Sequence, residues 1–445
     1  LWASGFAIDT DGNIYTIGSF NDSIDFDPGL DTSILYYDWT IIGGWPPHPS
    51  TNVFISKLDS NGNFVWAKNL VGGDYNRATT IETDSTGNVY FTGNFEDTVD
   101  FDLGPDTFNM TSTASTIFMV KLDPHGDFLW AKKYGGSYAR CKSIAVGNSD
   151  AIYTSGTFAY TSDFDPGPDT FLLTNNASNS DIFLCKQDLD GNFIWAKQMG
   201  YYSHSNTSFF NSMQVDNAGN LLATGTFWDT VDIDPGQDTM ILIPSGSTDF
   251  FISKMDPLGN LIWAKQFGSL LASISGNSIT SDSIGNIYVT GSFTRTLDFD
   301  PGPCTAYLDP GWEYEVFICK LDSNGNFQWA RKLGSNDERE VGSSIALNKQ
   351  ANIYTTGNFY SSNADFDPGS DTFNLNSLGN QSVFIHKMGN CSRSFSSIVI
   401  SSCSIYTSPS GKYHWTESGS YSDTIFNSLG CDSVLSIDLT ILHAN

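Results

Sequence analysis

The chain has 445 residues, 40% of them hydrophobic and 14% aromatic but only 16% charged, enough apolar material for a large core. Its 49 acids against 21 bases leave a formal net charge of -28, which repels nucleic acid and anionic membrane surfaces and points to cations as partners. No run of about 18 apolar residues suggests a membrane span, and seven scattered Cys without a CxxC pair indicate neither a zinc site nor a disulfide-dense scaffold.

Only seven of the acids are Glu and 42 are Asp, a turn and metal-ligand residue that is poor in helices, so the acidity is expected in loops. The chain opens at Leu1 without Met or a signal segment and reads as an internal piece of a longer protein. Its first strand pair is expected around Tyr15, followed three residues on by Gly18 and five on by Phe20. An acidic stretch, Asp25-Phe26-Asp27-Pro28-Gly29, comes next. A long insert, 36–51, carries Tyr36, Tyr37, Trp39, Trp45 and His48 beside three prolines. A second hairpin runs from Phe54 to Lys68, with Trp66 in its last strand.

This order recurs. The acidic stretch returns at Asp100, Asp163, Asp232, Asp298 and Asp365, at intervals of 75, 63, 69, 66 and 67 residues, and Trp130, Trp195, Trp263 and Trp329 keep the same step. A near-constant period is the mark of tandem structural units. The fifth unit is the clearest: Ser278–Ser281, a Gly-Asn turn, Ile287–Phe293, the acidic loop, Val316–Asp322, a second Gly-Asn turn and Phe327–Lys332. We name these strands A, B, C and D. Four antiparallel strands per unit of about 65 residues, without helical periodicity, predict an all-β fold, a six-bladed β-propeller of four-stranded blades over 1–390, with seven blades as the alternative. The Trp and the Gly-x-Phe are expected in the core between blades. The sixth unit reaches strand C at Val383 to Lys387 and has no fourth strand; Leu1-Trp2-Ala3 is one candidate to supply it, a strand upstream of Leu1 the other. Residues 391–445 are expected to form a small β-sandwich-like module ending in a strand over Val434 to Leu442. Its Cys403 and Cys431 are a plausible disulfide, with Cys391 permitting other pairings.

The recurring Gly-Asn-Ile-Tyr-x-Thr-Gly, Phe-Ile-x-Lys-Leu-Asp and Gly-Asn-Phe-x-Trp-Ala-Lys resemble the bacterial β-propeller repeat of large secreted surface proteins. The tail, with Tyr406-Thr407-Ser408-Pro409-Ser410-Gly411 and Gly430-Cys431-Asp432-Ser433-Val434, resembles the short β repeats near the C-termini of type IX secretion cargo. This resemblance implies export to the cell surface or beyond and a modular, noncatalytic protein.

The acidic loops carry the strongest chemical signal. Read as Asp-x-Asp-x-Gly-x-Asp, they offer Asp25, Asp27 and Asp31; Asp100, Asp102 and Asp106; Asp163, Asp165 and Asp169; Asp232, Asp234 and Asp238; Asp298 and Asp300, with Cys304 in the third place; and Asp365, Asp367 and Asp371. Alternate carboxylates around a Gly bend can wrap calcium, a hard cation that takes six to eight oxygens. The competing reading is an Asx-turn whose side chains cap local N–H groups. All six loops join strand B to strand C, so they are expected at one end of the sheets, with tight turns at the other. The aromatic insert is a candidate contact for a surface protein, a glycan or a second copy, or it folds back over its own blade; a loop with Tyr201, Tyr202 and His204 is a weaker candidate. No HExxH, G-x-S-x-G or phosphate-cradling loop is present, and the Asp pairs repeat with the fold where a catalytic pair would stand once. We therefore expect a noncatalytic extracellular structural or adhesion module stabilised by calcium. The alternatives are a glycan-binding or glycan-cleaving propeller and the subunit of an extracellular filament.

Overall fold

The computed structural model describes all residues except 1, 37–51, 74–75, 148–150, 176–179, 201–208, 237, 336–337, 370, 378, 380, 390–393, 403–404, 427–431 and 442–445. The described residues form strands and no helix.

The first repeat is a sheet in the order A-B-C-D: Trp2–Ile8, Ile14–Phe20, Asn52–Leu58 and Phe64–Asn69. The same antiparallel order recurs through the fifth repeat, whose strands are Ile274–Ser281, Ile287–Phe293, Glu315–Leu321 and Phe327–Leu333. Among the described residues the sixth sheet has three strands, Glu340–Leu347, Ile353–Phe359 and Ser382–Met388. Trp2 is paired with Ser19 inside strand A of the first repeat, so it does not supply the missing fourth strand of the sixth. The reason is chain length: Ala3 is too close to Phe6 to leave strand A. A further sheet sets Ser394–Ser402 parallel to Asp432–Ile441, with Gly419–Phe426 antiparallel on the other side. The Val434 to Leu442 expectation falls on this central strand. Cys391, Cys403 and Cys431 lie outside the described residues.

Strands B and C read as continuous apolar runs because both their faces are covered: every residue of Ile152–Phe158 and of Asp181–Gln187 is buried. Strand D alternates, as an outer strand with one wet face should, and leaves Leu129, Ile194 and Ile262 exposed. Strand A of each repeat packs on strand A of the next. The glycine of Gly-x-Phe is set by this strand. Strand A bulges opposite it, and a Cβ on Gly156 would collide with the Arg140 carbonyl, as one on Gly291 would with that of Ser275.

Neighbouring repeats are clasped at the tight-turn end. Strand-D Trp195 lies under the C–D turn of the next repeat, where a Cβ on Gly259 would stand 2.7 Å from its ring. Tyr153 meets the same indole edge-on at 6.1 Å, and strand-C Lys186 bonds the Pro257 carbonyl at 3.0 Å. Trp66 with Lys57 and Pro124, and Trp130 with Lys121 and Leu189, repeat the arrangement.

Candidate functional site

The acidic stretches emerge between strands B and C, each inside a short ribbon such as Val231–Asp232 paired with Ile241–Leu242. In the second repeat strands B and C themselves extend into the ribbon. The end of the preceding strand D joins it, since Gly334 N–H donates to the Asp365 carbonyl at 2.7 Å and Asp365 N–H returns the bond at 3.2 Å. The D-to-A and B-to-C connections thus share one end of the sheets, as the strand order requires.

Every copy has the same internal wiring. The first carboxylate caps two backbone groups: Asp25 Oδ1 accepts from Asp27 N–H at 3.0 Å and from Ser33 N–H at 2.8 Å. The second caps the glycine, with Gly29 N–H donating to Asp27 Oδ1 at 2.7 Å. Asp100 and Asp102, Asp163 and Asp165, Asp232 and Asp234, Asp298 and Asp300, and Asp365 and Asp367 repeat these bonds within a narrow range, 2.7 to 3.1 Å. This is the Asx-type capping that turn-forming Asp provides. The third acids, Asp31, Asp106, Asp169, Asp238 and Asp371, are all exposed. Among the described residues no group of three or more His, Cys, Asp or Glu is arranged to hold a metal ion. A calcium ion in one of these loops would complete its shell largely from carbonyls and water.

The residue between the two Asp of each copy has a role that motif reading missed. Phe101, Phe164, Ile233, Phe299 and Phe366 are buried, and Phe164 lies 4.7 Å from Phe183 and 5.4 Å from Phe158. The loop is therefore pinned to the core by its apolar member and shaped by its acids. The alternation itself was the available signal, because acid, aromatic, acid is the pattern of a half-buried strand end.

At the opposite end the Asp-x-x-Gly-Asn turns use the same capping device with more partners. Asp84 accepts from Thr86 N–H and Oγ1, Asn88 N–H and Nδ2, and the Tyr90 hydroxyl, at 2.7 to 3.0 Å. Burial alone would raise its pKa, but these donors outweigh burial and hold the carboxyl below its ordinary range. Burial, with the charge of Asp84, drives the Tyr90 hydroxyl far above the usual phenol range.

The acidic end differs in carrying exposed aromatic rings and a cleft. Tyr36, Tyr307 and Trp312 are exposed, and the Arg295 guanidinium lies 3.5 Å from the Trp312 ring centre. Of the predicted contact residues only Tyr36 is described; Tyr37, Trp39, Trp45 and His48, with Tyr201, Tyr202 and His204, lie outside the described residues. A cleft of about 590 Å³ is lined by Lys332, Gly334, Glu338, Asp365 and Asp367. Beneath Gly334 sit two buried carboxyls, since a Cβ there would stand 2.8 Å from Glu340 Oε2 and 2.9 Å from Glu315 Oε2. Burial pushes Glu315 up to about 9, partly relieved by Lys332 and reinforced by Glu340 and Asp365. Burial likewise raises Glu340 to about 7, against hydrogen bonds from Ser335 and Ser361.

Sequence comparison agrees with the architecture. The family model described as Beta-propeller repeat matches residues 262–292, which run from strand D of the fourth repeat through strands A and B of the fifth. The chain is also 27% identical over 432 residues to the uncharacterized WD repeat-containing protein L264 of Acanthamoeba polyphaga mimivirus, covering 80% of this chain. It spans only 30% of that relative's length. A Bacteroides caccae protein of unknown function, solved by crystallography, aligns with a TM-score of 0.35 at 10% identity, covering 68% of this chain and 78% of its own. Repeats, sheets and matches together define an all-β, β-propeller repeat protein.

Proposed function

We propose that the protein is a noncatalytic structural or adhesion module exported to the cell surface or beyond, a six-bladed propeller followed by a small β domain, 391–445. The observation that carries this reading is the uniformity of the acidic loops. All six Asp pairs spend Oδ1 on their own backbone in the same way, whereas a catalytic pair departs from its repeat copies to meet a substrate. Calcium binding to these loops, through Oδ2 atoms, carbonyls and water, is part of the proposal and adds rigidity to a loop that already holds its shape. The resemblance of the repeat and tail to type IX secretion cargo supports the export step. Glycan arrays and a hydrolysis assay on the whole chain test it: silence in both is expected, and hydrolysis of any glycan contradicts it. A second reading, glycan binding without cleavage, is favoured by the exposed Trp312, Tyr307 and Tyr36 at the acidic end. Under that reading the array is positive, hydrolysis stays silent, and Trp312→Ala weakens the signal.

A further inference from the structure

Basic side chains are scarce in this chain, and at the tight-turn end they already have partners. Lys68 and Lys254 are ion-paired with Asp127 and Asp216, while Lys57, Lys121 and Lys186 bond carbonyls of the next repeat. Two of the six Arg behave differently, at the acidic end of the fifth repeat. The Arg295 guanidinium lies 3.5 Å from the ring centre of Trp312, and that of Arg339 lies 5.2 Å from the ring centre of Tyr314, two residues further along the same loop. Among the described residues neither guanidinium makes a hydrogen bond or an ion pair. The cluster is anchored from below. The Tyr314 hydroxyl donates to Ser273 Oγ at 3.1 Å, the Tyr314 carbonyl accepts from Glu340 N–H at 2.7 Å, and Thr294, beside Arg295, exchanges two bonds of 2.9 Å with the Ser273 backbone. Arg295 also stands in left-handed backbone, at φ 64°. The matching residue of the second repeat is Asp97 at φ 65°, a type that tolerates this region, whereas Arg enters it at a cost that the surrounding bonds must offset. The third repeat uses the same place for Tyr160, at φ 60°, whose ring lies 5.2 Å from that of exposed Tyr138.

We propose that Arg295, Arg339, Trp312 and Tyr314 form a binding site for a glycan with isolated carboxylates, a uronic acid unit set among neutral sugars; this rests on the glycan-binding reading above and names its ligand class. Three features of the fifth repeat match three features of such a sugar. An unpaired guanidinium fork takes a carboxylate through two parallel N–H bonds. Trp312, 75% exposed, and Tyr307, 64% exposed, offer ring faces to the apolar C–H face of a sugar. Asp298 and Asp300 spend Oδ1 on their own backbone and leave Oδ2 to accept from sugar hydroxyls. An acidic peptide segment would bring the carboxylate without the hydroxyls, and would set like charge against these oxygens. The net charge of -28 limits the ligand further, because it repels a densely charged polyanion and admits only a sparsely charged one.

The test is titration of the whole chain, in EDTA, with a xylo-oligosaccharide bearing one glucuronic acid and a galacturonic acid oligosaccharide with alternate carboxyls esterified. The fully methyl-esterified form of each and heparin serve as comparisons. At least one acid sugar should bind tenfold or more tightly than its own ester, and heparin should not bind. Arg295→Gln should cut that acid-over-ester preference at least tenfold at unchanged Tm, Arg339→Gln should cut it less, and Trp312→Ala should weaken acid and ester alike. Equal binding of acid and ester overturns the proposal and leaves glycan binding standing, as does binding of neutral sugars alone. Silence of every glycan removes both. A preference that survives both Arg variants, that appears only when calcium is restored, or that heparin matches also overturns the proposal, since the carboxylate is then held by something other than this arginine and aromatic cluster.

Discussion

The two ends of the sheets use the same residue for the same local purpose and differ in what surrounds it. At the tight-turn end Asp84 collects five donors, including a hydroxyl from the core, and the turns lock onto the neighbouring repeat through Trp195 under Gly259 and Lys186 to the Pro257 carbonyl. At the acidic end Asp100 and Asp102 collect three backbone donors from their own loop, and the third acid, Asp106, stands in solvent. One end holds the array together. The other presents a shaped, negatively charged and aromatic surface whose connections vary in length, which is where a scaffold places recognition.

The largest way to break this division is Trp195→Ala. It empties the clasp between the third and fourth repeats and is expected to cost about 3 kcal/mol, read as a lower midpoint in denaturant. Asp84→Ala should come next, at about 2 kcal/mol, because it strands the Tyr90 hydroxyl and several turn donors. In the parent that carboxyl sits below its unfolded pKa, so its contribution is present above the unfolded value and is lost as pH falls through the folded one. The Asp84→Ala penalty should therefore shrink in acid.

Glu315 works in the opposite sense. Its folded pKa, about 9, lies above its unfolded value, so the native state binds the extra proton and the parent loses stability as pH rises from about 4.5 to 9. Glu315→Gln should melt like the parent at pH 5 and above it at pH 9. An unchanged pH profile would show that Lys332 keeps this carboxyl ionised. Smallest of all is Asp238→Ala, at an exposed third position, which should stay within about 0.5 kcal/mol of the parent without calcium. A larger loss would give the third acids a structural role that no described contact provides.

Much of this organisation was legible in the sequence, for reasons that are local. The period, the four strands and the position of every acidic loop follow from Gly-Asn turns, from Trp66 and its copies and from continuous apolar strands, each of which the backbone enforces within a few residues. The competing Asx-turn account of the first two Asp was also legible, because Asp capping is a short-range bond. What was hidden depends on partners far away in the chain. Phe164 reads as loop until strand C brings Phe183 to it. The glycine of Gly-x-Phe reads as a generic small residue until strand A bulges against it. Glu315 escaped notice because its position is filled differently in other repeats, by Asn52, Asp181, Asp249 and Ser382, so no motif marks it. The parallel pairing of Ser394–Ser402 with Asp432–Ile441 has no sequence signal in so short a segment.

Native-state hydrogen exchange of two amides tests the contrast most directly. Asn88 N–H, held by Asp84 at the tight-turn end, and Phe108 N–H, held by Asp100 at the acidic end, make side-chain bonds of similar length, 3.0 and 2.8 Å. If the turn end holds the repeats together, Asn88 exchanges only with global unfolding while Phe108 exchanges through local opening of its loop. Equal protection, or slower exchange at Phe108, would contradict the assignment of clasp and working face to opposite ends.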